Sequence, residues 1–94
     1  MNNPALSMER GTITGRVTTG RGEPVAEAVA MITGGSPSHR DIAALTNAQG
    51  EFKFDELIPG TYIILVNVVG HPAQSKTARV EAGQVAHLDF SPTE

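Results

Sequence analysis

Apolar and polar positions alternate along most of this chain with a period of two. In Glu51-Phe52-Lys53-Phe54 the aromatics fall on one side and the charges on the other, as successive side chains of a strand must. Gly11–Thr18 repeats the pattern, with Ile13, Gly15 and Val17 on one face and Thr12, Thr14, Arg16 and Thr18 on the other. Val25–Ile32 is Ala-rich and has some helix propensity. Breakers on both sides, Gly20–Pro24 and Gly34–Pro37, leave it only the room of a strand. The pattern predicts strands over residues 11–18, 26–33, 42–46, 51–54, 61–69, 76–81 and 85–90.

Turn residues punctuate these runs. Asn47-Ala48-Gln49-Gly50 turns the third strand into the fourth, with Gly50 expected at positive φ. Pro59 presets φ in the next turn and Gly60 is expected to supply its left-handed residue. Gly70-His71-Pro72 and Ala82-Gly83-Gln84 mark the last two connections. Short strands at this spacing predict an all-β fold, a seven-stranded antiparallel or mixed Greek-key β-sandwich.

With 94 residues the chain has room for one small core. The expected division is a leader over residues 1–10, a domain over 11–90 and a frayed tail over 91–94. There is no cysteine, so no disulfide supplements the core. A net charge of −3, scattered Lys and Arg and few aromatics argue against a nucleic-acid platform. The first ten residues carry neither a basic segment nor an apolar run, so membrane insertion is not expected, and the expected location is cytoplasmic unless a specialised export route carries the chain. No cofactor is expected.

The segment Thr46–Val66 carries a further pattern, Thr-Asn-x-x-Gly-x-Phe-x-Phe-x-x-Leu-x-Pro-Gly-x-Tyr-x-apolar-x-Val. Gly15-Arg16-Val17, Gly22-Glu23-Pro24-Val25 and Ala28–Ile32 precede it. Together these motifs resemble the carboxypeptidase regulatory-like domain of the transthyretin-like (prealbumin-like) superfamily, with Asn47 where that family has Asp. The resemblance covers roughly residues 11–90 and implies a transthyretin-like sandwich that stabilises, positions or attaches larger assemblies. Such domains occur in metallocarboxypeptidases, outer-membrane receptors and secretion-spike extensions. Relatives with a Lys–Asn isopeptide bond carry the Lys on the first strand, where this chain has Arg16. The 5-hydroxyisourate hydrolases of the superfamily end in Tyr-Arg-Gly-Ser, a terminus missing here.

The resemblance also makes the second and fifth strands neighbours in one sheet. It turns Ala28, Ala30, Ile32, Tyr62, Ile64, Val66 and Val68 inward. Val29, Met31, Ile63, Leu65 and Val69 are then left on the outer face, where a one-sided sheet should be polar. They are the candidate interface with a protein partner or a second copy of the chain, the alternative being that the loop after the second strand, or the leader with Leu6 and Met8, folds over them.

A second candidate lies in loops, where binding residues concentrate. Ser38, His39 and Asp41 in the Gly34–Asp41 loop are candidate ligand contacts, and His71 joins them if the two loops share an end of the sandwich. A His/Asp/His set of this kind has no diagnostic metal spacing. His87 reads as a partly buried strand histidine. With no nucleophile elbow, the chain reads as a non-enzyme, an interaction or assembly module. A carbohydrate- or small-ligand-binding module using the 34–41 and 70–72 loops is the alternative, and a small hydrolase or metalloprotein comes third.

Overall fold

The computed structural model describes residues 10–36 and 42–93. Seven strands form in chain order: β1 (Gly11–Thr19), β2 (Val29–Ser36), β3 (Ala43–Leu45), β4 (Glu51–Leu57), β5 (Gly60–Asn67), β6 (Gln74–Val80) and β7 (Val85–Thr93). They make two sheets, β4-β1-β7 and β3-β2-β5-β6. All pairs are antiparallel except β1 with β7, which run parallel from Thr12↔Val85 to Thr19↔Thr93. The expected all-β sandwich, with the second and fifth strands adjacent, is what forms.

The period of two places the core between the sheets. Ile13, Val17, Phe52, Phe54 and Phe90 point inward from one sheet, and Ala30, Ile32, Tyr62, Ile64 and Val66 from the other, all buried. The Phe52 ring is tilted against Phe54 at 5.7 Å and against Phe90 at 6.0 Å, a favoured aromatic arrangement. Gly15 makes room for it, because a Cβ there would overlap the Phe52 ring.

Several boundaries differ from the sequence pattern, each for a local reason. β2 starts late because Ala26 and Glu27 form a turn, with Glu27 at φ 61°. It then continues through Gly34 and Gly35, which pair with Ile63 and Tyr62 instead of opening a loop. A bulge at Thr33 shifts the register, and a Cβ on Gly35 would press on the Thr61 carbonyl oxygen at 2.7 Å. β4 runs past Phe54 to Leu57 through a second bulge, in which Glu56 takes φ 61°. Glu56, not Gly60, is the left-handed residue of this segment; Gly60 sits at φ 159° and opens β5 opposite Val80. β7 extends past Phe90 to Thr93, and the Ser91 N–H donates to Gln74 Oε1 at 2.9 Å.

The Asn47–Gly50 turn carries the chain from one sheet to the other, because β3 and β4 lie in different sheets. Asn47 organises it. Its side-chain oxygen accepts from the N–H groups of Gln49 and Glu51, both at 2.9 Å, and its own N–H donates to the Glu51 carbonyl at 3.0 Å. An Asp carboxylate would accept the same two bonds, which explains why Asn serves at the position where the resembling family has Asp.

Tyr62 ties the next turn down, its hydroxyl donating to the Ile58 carbonyl. Burial raises the phenol above its usual pKa of 10.0, and the Arg10 guanidinium partly offsets this. The folded state therefore favours the neutral phenol more than the unfolded state does. That contribution is complete below pH 10 and is lost as pH rises through the folded value. Tyr62→Phe should cost about 1 kcal/mol at neutral pH, from the unpaired Ile58 carbonyl. It should also flatten the loss of stability above pH 10, a difference readable in denaturant melts at pH 7 and pH 11.

Candidate functional site

The two outer faces of the sandwich differ sharply in chemistry. On β4-β1-β7 the outward residues are polar apart from Val85, 64% exposed beside Thr12, and several are bonded to one another. Thr12 Oγ1 donates to Asp55 at 3.2 Å, Lys53 pairs with Asp55 at 3.6 Å, and Thr14 Oγ1 meets His87 Nδ1 at 2.9 Å. His87 Nε2 lies 3.0 Å from Asp89 Oδ1. His87 is thus an exposed outer-face residue, not the partly buried one that the sequence suggests.

The hydroxyl–imidazole–carboxylate line of Thr14, His87 and Asp89 has the order of a catalytic triad. Its setting does not, since the His87 and Asp89 side chains are 52% and 76% exposed. Hydrogen bonds on an open sheet surface compete with water, and activation of a hydroxyl needs a desolvated site. An open cleft of about 610 Å³ lies beside this line, bordered by Lys53, Glu51, Asn47 and Leu45 as well as Thr14 and His87. Sequence reasoning missed the cluster because Thr14 and His87 are brought together by parallel pairing of the first and last strands.

On β3-β2-β5-β6 the outer face is apolar across three strands. Cross-strand pairing sets the rows: Leu45 beside Val29, Ala43 beside Met31 beside Leu65, and Gly34 beside Ile63. Leu45 is 62% and Ile63 40% exposed, while Val29, Met31 and Leu65 are half-buried against their neighbours. Ile63 lies over Gly34, where an added Cβ would stand 3.2 Å from its Cδ1. Asn67, Ser75 and Thr77 supply a polar rim on the β5 end and β6. Five large apolar side chains in adjoining rows make a patch of a few hundred Å², the size at which a binding surface is expected.

Four of the five residues expected on this face, Val29, Met31, Ile63 and Leu65, are brought together there. Val69 is not. β5 ends at Asn67, and Val69 sits 97% exposed in the turn closed by the His71 N–H on the Val68 carbonyl. Leu45 takes its place, a member hidden in the sequence because a three-residue strand shows too little alternation.

Of the loop candidates, Ser38, His39 and Asp41 lie outside the described residues. Ser36, which precedes them, pairs with Thr61 at the start of β5, whereas His71 follows the other end of that strand. Antiparallel pairing therefore sets His71 at the opposite end of the sheet from Ser36. Among the described residues no group of three or more His, Cys, Asp or Glu side chains is placed to hold a metal ion.

No curated protein matches the chain significantly. Among solved structures, the Bacillus anthracis TIE protein superposes with a TM-score of 0.75 at 18% identity, covering 88% of this chain and 16% of that one. The chain thus spans about a sixth of that protein. The dioxygenase domain of a dioxygenase–carbohydrate-binding protein fusion from Streptomyces sp. SirexAA-E gives a TM-score of 0.67 at 12% identity, covering 96% of this chain and 83% of that one. A candidate carbohydrate-binding protein from Pseudomonas aeruginosa gives 0.63 at 16% identity, covering 90% of each chain. At these identities the likeness is one of fold. The family model of the carboxypeptidase regulatory-like domain matches residues 12–93, from the second residue of β1 to the last of β7, and the chain belongs to that family.

Proposed function

We propose that this β-sandwich is a non-catalytic protein-interaction module that docks a partner protein on the outer face of β3-β2-β5-β6. The contrast between the two outer faces carries the reading. Both belong to one sandwich, yet one is a hydrogen-bonded polar surface with Val85 as its single large apolar residue among the described ones, and the other presents Leu45, Val29, Met31, Leu65 and Ile63 in adjoining rows. Apolar groups held at a surface gain from burial, about 25 cal/mol per Å² removed from water. Met31 and Leu65, paired at the centre of the patch, are its expected anchors.

The carbohydrate reading has less support. Sugar platforms use exposed aromatic rings. The chain has three Phe, one Tyr and no Trp, and Phe52, Phe54, Tyr62 and Phe90 are all buried in the core.

Leu65→Glu tests the proposal. Leu65 is half-buried on the sheet surface, so the fold should survive with a loss of about 1 kcal/mol. The protein captured from extracts of the source cells by the wild-type domain should be lost with Leu65→Glu. It should be retained with Thr14→Glu, which places the same charge on the opposite face. Equal capture by both variants would refute the docking face.

A further inference from the structure

The sandwich has two sides on which sheet edges lie exposed, and they are finished differently. On one side β6 and β7 are stitched together: the Ser91 N–H donates to Gln74, Lys76 reaches the Asp89 carbonyl, and the Lys76 ammonium stands 5.5 Å from the centre of the Phe90 ring. On the other side the edges are β3, three residues long, and β4, seven residues long. Among the described residues no strand pairs with the outer edge of β4.

The backbone of β4 alternates in its bonding. Phe52 and Phe54 stand opposite Gly15 and Ile13 of β1, and the Gly50 carbonyl accepts from the Val17 N–H on that same inner edge. The groups of Glu51, Lys53 and Asp55 therefore point to the outer edge. Those of Glu51 are taken by Asn47, through the two bonds described above. Among the described residues nothing pairs with the outward N–H and C=O groups of Lys53 and Asp55, an edge that a protein must cover, blunt or use.

We propose that β4 is the seam of a homodimer, in which two copies pair their β4 strands antiparallel in a register centred on Phe54. Charge and free backbone groups together select this register: centred on Phe52, Lys53 would face Glu51, whose N–H and C=O are already held by Asn47. Centred on Phe54, Lys53 of each copy stands opposite Asp55 of the other, and each such pair exchanges both backbone hydrogen bonds. Centred on Lys53, the two lysines would face each other and Glu51 would face Asp55. Centred on Asp55, the two aspartates would meet. A shift by one residue would set inward aromatics beside outward charges. Two copies joined this way form a continuous sheet β7-β1-β4-β4-β1-β7, and Val29, Met31, Leu65 and Ile63 on the other sheet stay free for a partner.

Sedimentation equilibrium over a concentration series tests the seam. The wild type should dimerise reversibly, and the Lys53 and Asp55 amides should exchange more slowly with solvent as concentration rises. Lys53→Glu and Asp55→Lys each turn two attractive pairs into repulsive ones, so each should weaken dimerisation by about tenfold or more. Both side chains are more than half exposed, so neither variant should unfold the domain, which amide spectra verify. An equimolar mixture of the two variants should dimerise about as well as the wild type, because every introduced charge then meets an opposite one. A wild type that stays monomeric throughout, or charge variants that dimerise unchanged, would overturn the proposal. So would a mixture that fails to recover, or a dimer abolished by Leu65→Glu and indifferent to the β4 charges, which would place self-association on the apolar face.

Discussion

Gly50→Ala is expected to lower the unfolding free energy by about 2–5 kcal/mol. Two penalties coincide at this residue. Gly50 has φ 75°, where an L side chain costs about 1–2 kcal/mol. An added Cβ would also overlap the Val17 carbonyl oxygen and approach the Val25 nitrogen to 3.1 Å. Those atoms are bonded to each other, Val25 N–H to Val17 C=O at 2.9 Å, and the Val17 N–H donates to the Gly50 carbonyl. Relief by backbone movement therefore breaks the bonds that hold β1, the segment after it and the Asn47–Gly50 turn together. A domain of this size has only about 5–15 kcal/mol in total, so a urea melt should show a large drop in midpoint.

Thr46→Val should cost about 2–4 kcal/mol although it conserves shape. Thr46 is the buried polar residue of the described core, 4% exposed. Its hydroxyl donates to the Val25 carbonyl at 2.6 Å and accepts from the Ala28 N–H at 2.9 Å. Its backbone adds two more bonds, to the Ala28 carbonyl and from the Glu27 N–H. Thr46 thus staples the turn that launches β2 to the turn that launches β4. Val at this position would leave the buried Ala28 N–H and the half-buried Val25 carbonyl unpaired, at about 1–3 kcal/mol for a fully buried group and less for the other. Thr46→Ser keeps both bonds and loses only a methyl group, so its cost should stay near 1 kcal/mol. If the Val and Ser variants melt together in urea, the hydroxyl is not the staple.

The fold was legible in the sequence where its cause is local. Gly50 marks a turn that Asn47 closes on Gln49 and Glu51, and Phe52, Phe54 and Tyr62 reveal their faces by alternation. What stayed hidden depends on partners far apart in the chain. The bulges at Thr33 and Glu56 arise where a strand accommodates its neighbour, so the sequence pattern broke β2 at Gly34 and stopped β4 at Phe54. The Thr14–His87–Asp89 line needs the parallel pairing of β1 and β7, which no local pattern encodes. The apolar face was legible because Tyr62 marks the register of β5, and counting from it turns Ile63 and Leu65 outward. That count cannot say where the strand stops, so Val69 was assigned to a face that ends at Asn67. Leu45 joined the patch only when β3 was seen to pair with β2.

The docking claim is tested most directly by methyl NMR on the wild-type domain, titrated with the purified protein that it captures. The methyl signals of Val29, Met31, Leu45, Ile63 and Leu65 should shift or broaden together and saturate at one partner per domain, while those of Thr14 and Val85 stay in place. Shifts confined to the β4-β1-β7 face, or to the His71 turn, would contradict the account.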